Sequence, residues 1–140
     1  MRKFDDSLPL KLLRARETAL NHFRPLLKEI SLTEQQWRII RALNEYGALE
    51  SKQLAECCCI LSPSLTGIIK RLEQQNFIQR QKSQEDQRRV LLSLTDHAQK
   101  VFDDISPRFE ERYSKMTDKF GQEKMQEFKD LLDLMAEVKP

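Results

Sequence analysis

Ser62, Ser64, Thr66 and Gly67 crowd small hydroxylated side chains and a glycine into six residues, and Lys70 and Arg71 follow one helical turn later. Small residues let the end of a helix press close to base edges, where bulky ones would hold it off. The two long cations can then reach phosphates or a guanine edge, where a bidentate arginine discriminates by about 1–3 kcal/mol. Lys52 adds a cation ahead of this run. Arg88 and Arg89 stand together beyond it, where an arginine could enter a narrow, electronegative minor groove. Asp86, two residues before Arg88, can brace it by a charged hydrogen bond. Taken singly, each charge could simply solvate a surface. Together they form the contact set of a duplex-DNA reader.

Other chemistries are poorly served. The only two histidines, His22 and His97, stand beside no plausible nucleophile, and there is no glycine-rich phosphate loop or metal-ligand spacing. No enzyme, catalytic residue, metal site or cofactor is therefore expected. Cys57, Cys58 and Cys59 are adjacent, an odd count without the two-residue spacing of metal and redox pairs. A thiol sensor there is a competing reading, but only Lys52 on the same helix could favour a thiolate. A module that binds protein or RNA rather than DNA is a second alternative, distinguishable because duplex binding should weaken steeply with salt. No run approaches the roughly 18 apolar residues of a membrane span, and the start lacks a signal peptide's apolar stretch. The expectation is a cytoplasmic protein with no membrane partner.

The formal charge of +2 conceals a division. Residues 61–95 carry 6 basic and 3 acidic groups, whereas 96–140 carry 8 and 11, so positive charge is concentrated centrally, where a polyanion would be met.

Helices must position these groups, since 140 residues with three glycines and 33% charge suit one mainly helical domain. Apolar residues from Leu8 to Ile30 recur at helical spacing, predicting one helix bent by Pro25. Thr33 and Gln36 form a capping box for a helix over 34–46, with Leu32 and Trp37 as its staple, and Gly47 ends it. Ser51 reads as the cap of a short helix, and Ser62 with Pro63 as the start of another, together making a helix-turn-helix. The period then changes: 77–80 and 90–94 read as two strands around a polar tip at 83–87, a hairpin wing. Thr95 caps a long helix interrupted by Pro107, and a last helix follows Gly121. The predicted fold is mainly α with a small β-hairpin wing: a winged helix-turn-helix over 48–95, with dimerisation helices over 5–31 and 96–138, in one domain spanning 1–140.

The stretch Leu61-Ser62-Pro63-Ser64-Leu65-Thr66-Gly67-Ile68-Ile69-Lys70-Arg71-Leu72-Glu73, with Asp86-Gln87-Arg88-Arg89 and Leu92-Ser93-Leu94-Thr95, resembles the MarR family of winged-helix regulators. Leu32-Thr33-Glu34-Gln35-Gln36-Trp37-Arg38-Ile39 and Cys59-Ile60-Leu61 are similar to its branch controlling homoprotocatechuate (4-hydroxyphenylacetate) degradation operons. Ala98 departs from the pattern, replacing a common glycine. The resemblance implies a homodimeric repressor with two winged units on successive major grooves. It also implies a small phenolic acid that binds between the dimer and DNA-binding parts and shifts the recognition helices.

The residues agree with a dimer, because the apolar stripes of the terminal helices exceed what one chain this short could cover. Two-fold symmetry predicts a palindromic operator with half-sites one helical turn, roughly 34 Å, apart. An aromatic carboxylate needs a cation, an apolar wall and a hydrogen-bonding group, types supplied by Arg14, Arg16, His22, Trp37 and Arg38. The plainer account makes Trp37 a staple, His22 an interface or surface residue and the arginines ordinary helix charge.

Overall fold

After a short turn at Phe4–Asp6, helix α1 spans Leu8–Asn21, with the Ser7 hydroxyl accepting from the Leu10 N–H at 3.5 Å. The chain leaves the helix at His22 and Phe23 and restarts in α2, Arg24–Glu29. The single bent helix expected there is therefore two. Pro25 falls at the second position of α2, where its missing N–H would have had no helical partner in any case. Helix α3, Glu34–Tyr46, starts on the expected capping box: Thr33 Oγ1 accepts from Gln36 N at 3.1 Å and Gln36 Oε1 from Thr33 N at 2.9 Å. Gly47 closes it at φ +77°, a conformation other residues adopt only with strain.

The two start signals of the helix-turn-helix each shift by one residue. Helix α4 is Ser51–Cys58, with Glu50 rather than Ser51 at the cap position; the Gln53 side chain accepts from the Glu50 N–H at 2.9 Å. Helix α5 is Ser62–Gln74, so Ser62 lies inside it and Leu61 holds the cap position, with no side-chain bond to the first turn. Cys59, in the left-handed region at φ 54°, makes the turn between them.

Strand β1, Ile78–Lys82, pairs antiparallel with β2, Val90–Leu94, in the register Ile78↔Leu94 to Lys82↔Val90. The first strand starts one residue later and ends two later than the pattern suggests. Phe77 closes the end of α5 instead, its N–H donating to the Leu72 carbonyl at 2.8 Å beside a left-handed Asn76. Leu49 adds a third, single-residue rung by exchanging backbone bonds with Leu92. Helix α6, Asp96–Phe120, is capped by Thr95, whose Oγ1 accepts from Ala98 N at 3.1 Å. It runs through Pro107 without the expected interruption; the preceding Ser106 hydroxyl bonds back to the Phe102 carbonyl. Gly121, at φ 108°, separates it from α7, Gln122–Ala136.

The computed structural model describes all residues, Met1–Pro140, in two compact units. Leu26–Ser106 holds the core, where Leu26, Ile39, Ile40, Leu54, Leu65, Ile69, Leu72 and Leu92 are all below 2% or at 2% exposure. The other unit, Met1–Pro25 with Pro107–Pro140, is joined by aromatic contacts such as Phe23 on Phe109, with ring centres 5.7 Å apart.

Candidate nucleic-acid interface

Helix α5 has two unlike faces. Leu65, Ile69 and Leu72 are buried, while Ser62, Ser64, Thr66, Gly67, Lys70 and Arg71 are all exposed. The Thr66 hydroxyl donates back to the Ser62 carbonyl at 3.2 Å. Gly67 is the informative residue. A glycine inside a helix destabilises by roughly 0.5–1 kcal/mol relative to alanine, yet a Cβ built at this position meets nothing within 4 Å. Neither backbone conformation nor packing in the chain requires the glycine.

The cations divide by whether the fold already uses them. Lys52, exposed in the first turn of α4, and Lys70 and Arg71 on α5 have no acidic partner. Arg88 projects from the wing with its side chain 91% exposed. Asp86 braces it as expected, accepting from Arg88 N at 3.0 Å and Nε at 3.1 Å, and these bonds hold the Asp86 carboxyl below its usual range. Arg89 behaves differently from its neighbour. It pairs with Glu50 at the start of α4, and that hydrogen-bonded carboxylate raises the arginine's already high pKa. Arg80 likewise pairs with Glu73 of α5 at 2.9 Å. Two arginines thus tie the wing to the helix pair, while Arg88 remains outward. Sequence reasoning overlooked Lys82, an exposed, unpaired cation at the end of β1; its place beside the polar tip was the available signal.

The groups considered for an acidic aromatic ligand are placed as follows. On α1, Arg14 pairs with Asp5 at 3.1 Å and Arg16 is exposed. His22 Nδ1 donates to the Thr18 carbonyl at 3.0 Å, and its own carbonyl accepts from Arg112 at 3.4 Å. In the other unit Trp37, 7% exposed, stacks on Phe102 with ring centres 5.4 Å apart. Arg38 is fully engaged: Nε and Nη2 bond the two oxygens of Glu34, and Nη1 donates to the Cys58 carbonyl at 2.6 Å. The Glu34 bond raises its pKa despite partial burial. Its donors are committed to joining α3 to the end of α4, which leaves little for a ligand.

Residues 32–90 match the pattern of the MarR family. The chain is also 45% identical over 132 residues to the HTH-type transcriptional regulator FarR of Neisseria gonorrhoeae, covering 94% of this chain and 90% of that protein. The chain belongs to the MarR family. It is 44% identical to the homoprotocatechuate degradative operon repressor of Escherichia coli, over 91% of this chain and 86% of the repressor. A crystal structure of NadR in complex with 4-hydroxyphenylacetate superposes with a TM-score of 0.82 at 42% identity, covering 99% of both chains. As a MarR-family winged helix-turn-helix protein the chain is a DNA-binding transcription regulator. No helix is long and apolar enough to cross a membrane.

Proposed function

We propose that this regulator represses an operon for breakdown of an aromatic acid of the homoprotocatechuate type, and that a small phenolic acid releases it from its operator. It binds a palindromic operator as a homodimer assembled through the terminal helices, 5–31 and 96–138, and acts in the cytoplasm without enzymatic activity. The likeness to a homoprotocatechuate operon repressor and to NadR, crystallised with 4-hydroxyphenylacetate, supports the operon and effector classes. Arg14 and Arg38 are each paired with a carboxylate of the chain, Asp5 and Glu34, so an effector carboxylate would have to compete for them. In the oxidation-sensing alternative through Cys57–Cys59, Cys58 is the least suited thiol, buried and pushed up to about 12 chiefly by that burial, whereas Cys57 and Cys59 are exposed.

The observation that carries the DNA assignment is the unneeded glycine at position 67. Duplexes selected from a random pool, with and without 4-hydroxyphenylacetate, give the operator and the effector response together. On that operator, Gly67→Ala should raise thermal stability, by roughly 0.5–1 kcal/mol, while weakening binding at least about tenfold by adding a methyl at the contact. Greater stability with unchanged affinity would remove α5 from the DNA.

A further inference from the structure

Leu61 breaks two local rules at once. It occupies the cap position of α5, where Ser, Thr, Asn or Asp would bond the first-turn N–H groups, and it makes no such bond. It also leaves a large apolar side chain in solvent: Leu61 is 79% exposed, whereas Leu65, one turn along the same stripe, is 2% exposed. The apolar stripe therefore overruns the core by one turn. The overrun lies at the N-terminal end of the helix, continuous with exposed Ser62, Pro63 and Ser64. Neither capping nor packing explains a leucine here, and local exceptions of this kind concentrate at functional surfaces.

We propose that Leu61 is a base-reading residue whose side chain packs on the 5-methyl group of a thymine. The inference rests on α5 being the DNA-reading helix. A recognition helix enters the major groove with its N-terminal residues toward the bases. The thymine methyl is the one apolar group that base pairs present in that groove, and apolar side chains are its partners. The flanking hydroxyls of Ser62 and Ser64 offer polar contacts on either side, so Leu61 contributes methyl recognition that they cannot.

The test replaces each thymine of the selected operator with deoxyuridine, which removes only the methyl group. Wild-type protein should lose roughly fourfold in affinity for each methyl removed at one symmetry-related pair of positions. Leu61→Ala should bind the thymine and deoxyuridine duplexes equally at that pair, and Leu61→Met should keep part of the preference. Because the side chain is exposed, truncation opens no core, and an unchanged melting temperature verifies this. The proposal is overturned if wild type binds its operator tightly with no thymine mattering. It is equally overturned if Leu61→Ala retains the full methyl preference, or alters only the association state. Failure of wild type to bind any duplex would overturn the underlying DNA assignment as well, which separates the two outcomes.

Discussion

Every buried residue of the chain lies between Leu26 and Ile105, and none lies in the unit made of Met1–Pro25 and Pro107–Pro140. Both regions are built from amphipathic helices. In the first, the apolar stripes of α3, α4 and α5 meet each other and β2. In the second, Leu8, Leu12, Leu13, Phe120, Leu131, Leu132, Leu134, Met135 and Val138 are all more than a third exposed. A reading unit with its own interior can hold its shape alone, whereas a helical unit with no interior needs another surface to cover it. A second copy of the same chain is the simplest such surface, because one self-complementary patch then covers itself.

The largest effect should come from placing charge on that uncovered face. Leu131 and Leu134 are 60% and 61% exposed. If they stayed in solvent, changing both to Glu would alter stability by no more than about 0.5 kcal/mol. In a dimer interface each buried carboxylate costs several kcal/mol. Leu131→Glu with Leu134→Glu should therefore sediment as a monomer and lose at least about a hundredfold in operator affinity, since each half-site is then held alone. A stable dimer with wild-type affinity would show that these side chains face water for a reason other than assembly.

The reading unit should respond to a different kind of damage. Arg38 joins α3 to the Cys58 carbonyl, and Gln36 reaches Gln75 at the end of α5 at 3.4 Å. Arg38→Ala removes the donor from that carbonyl and takes both guanidinium bonds from Glu34, a loss of about 1–3 kcal/mol. Thermal denaturation should show it, with operator affinity reduced and the dimer intact. Arg38→Lys should lie between, since an ammonium cannot reproduce the planar fork. Unchanged stability with a lost response to 4-hydroxyphenylacetate would instead return Arg38 to the effector site.

Much of this contrast could be read from the residues, and the parts that could not have physical reasons. The capping box at Thr33, the left-handed Gly47, the wing and the Asp86 brace are local, so spacing alone reveals them. Pro25 and Pro107 depart from the sequence pattern in opposite directions because a proline's effect depends on its place in a helix. At the second position it starts one; at Pro107 the long helix continues, with the Ser106 hydroxyl bonded to the Phe102 carbonyl. The shift of the cap from Ser51 to Glu50 turned on Gln53, a backbone-binding side chain that the preference for Ser at caps does not anticipate. Arg88 and Arg89 are alike in sequence, and only the approach of Glu50, 39 residues before Arg89, separates an outward cation from a tethered one. The exposed small and basic residues proposed to face DNA between Ser62 and Arg71 were legible because they share one short helix. Candidates for the effector were not, since Arg38 and Trp37 are committed to distant partners that no spacing reveals.

The smallest effect concerns Cys58, which marks the contact between α3 and α4. Its thiol donates weakly to the Arg38 carbonyl at 3.8 Å, and burial pushes it up to about 12. Native protein treated with iodoacetamide should be modified at exposed Cys57 and Cys59 but not at Cys58, which should react only after unfolding. The same burial fixes the sign of a pH effect. Below its ordinary value near 9 the thiol is protonated in both states and contributes fully. Above it the unfolded chain loses a proton that the folded chain keeps, so unfolding is favoured progressively until the folded thiol also ionises. The stability difference between wild type and Cys58→Ala should therefore be flat below pH 8 and shrink from about pH 9 upward. A flat difference up to pH 11, or rapid native labelling of Cys58, would mean that solvent reaches this contact and that the reading unit is less closed than its other core positions.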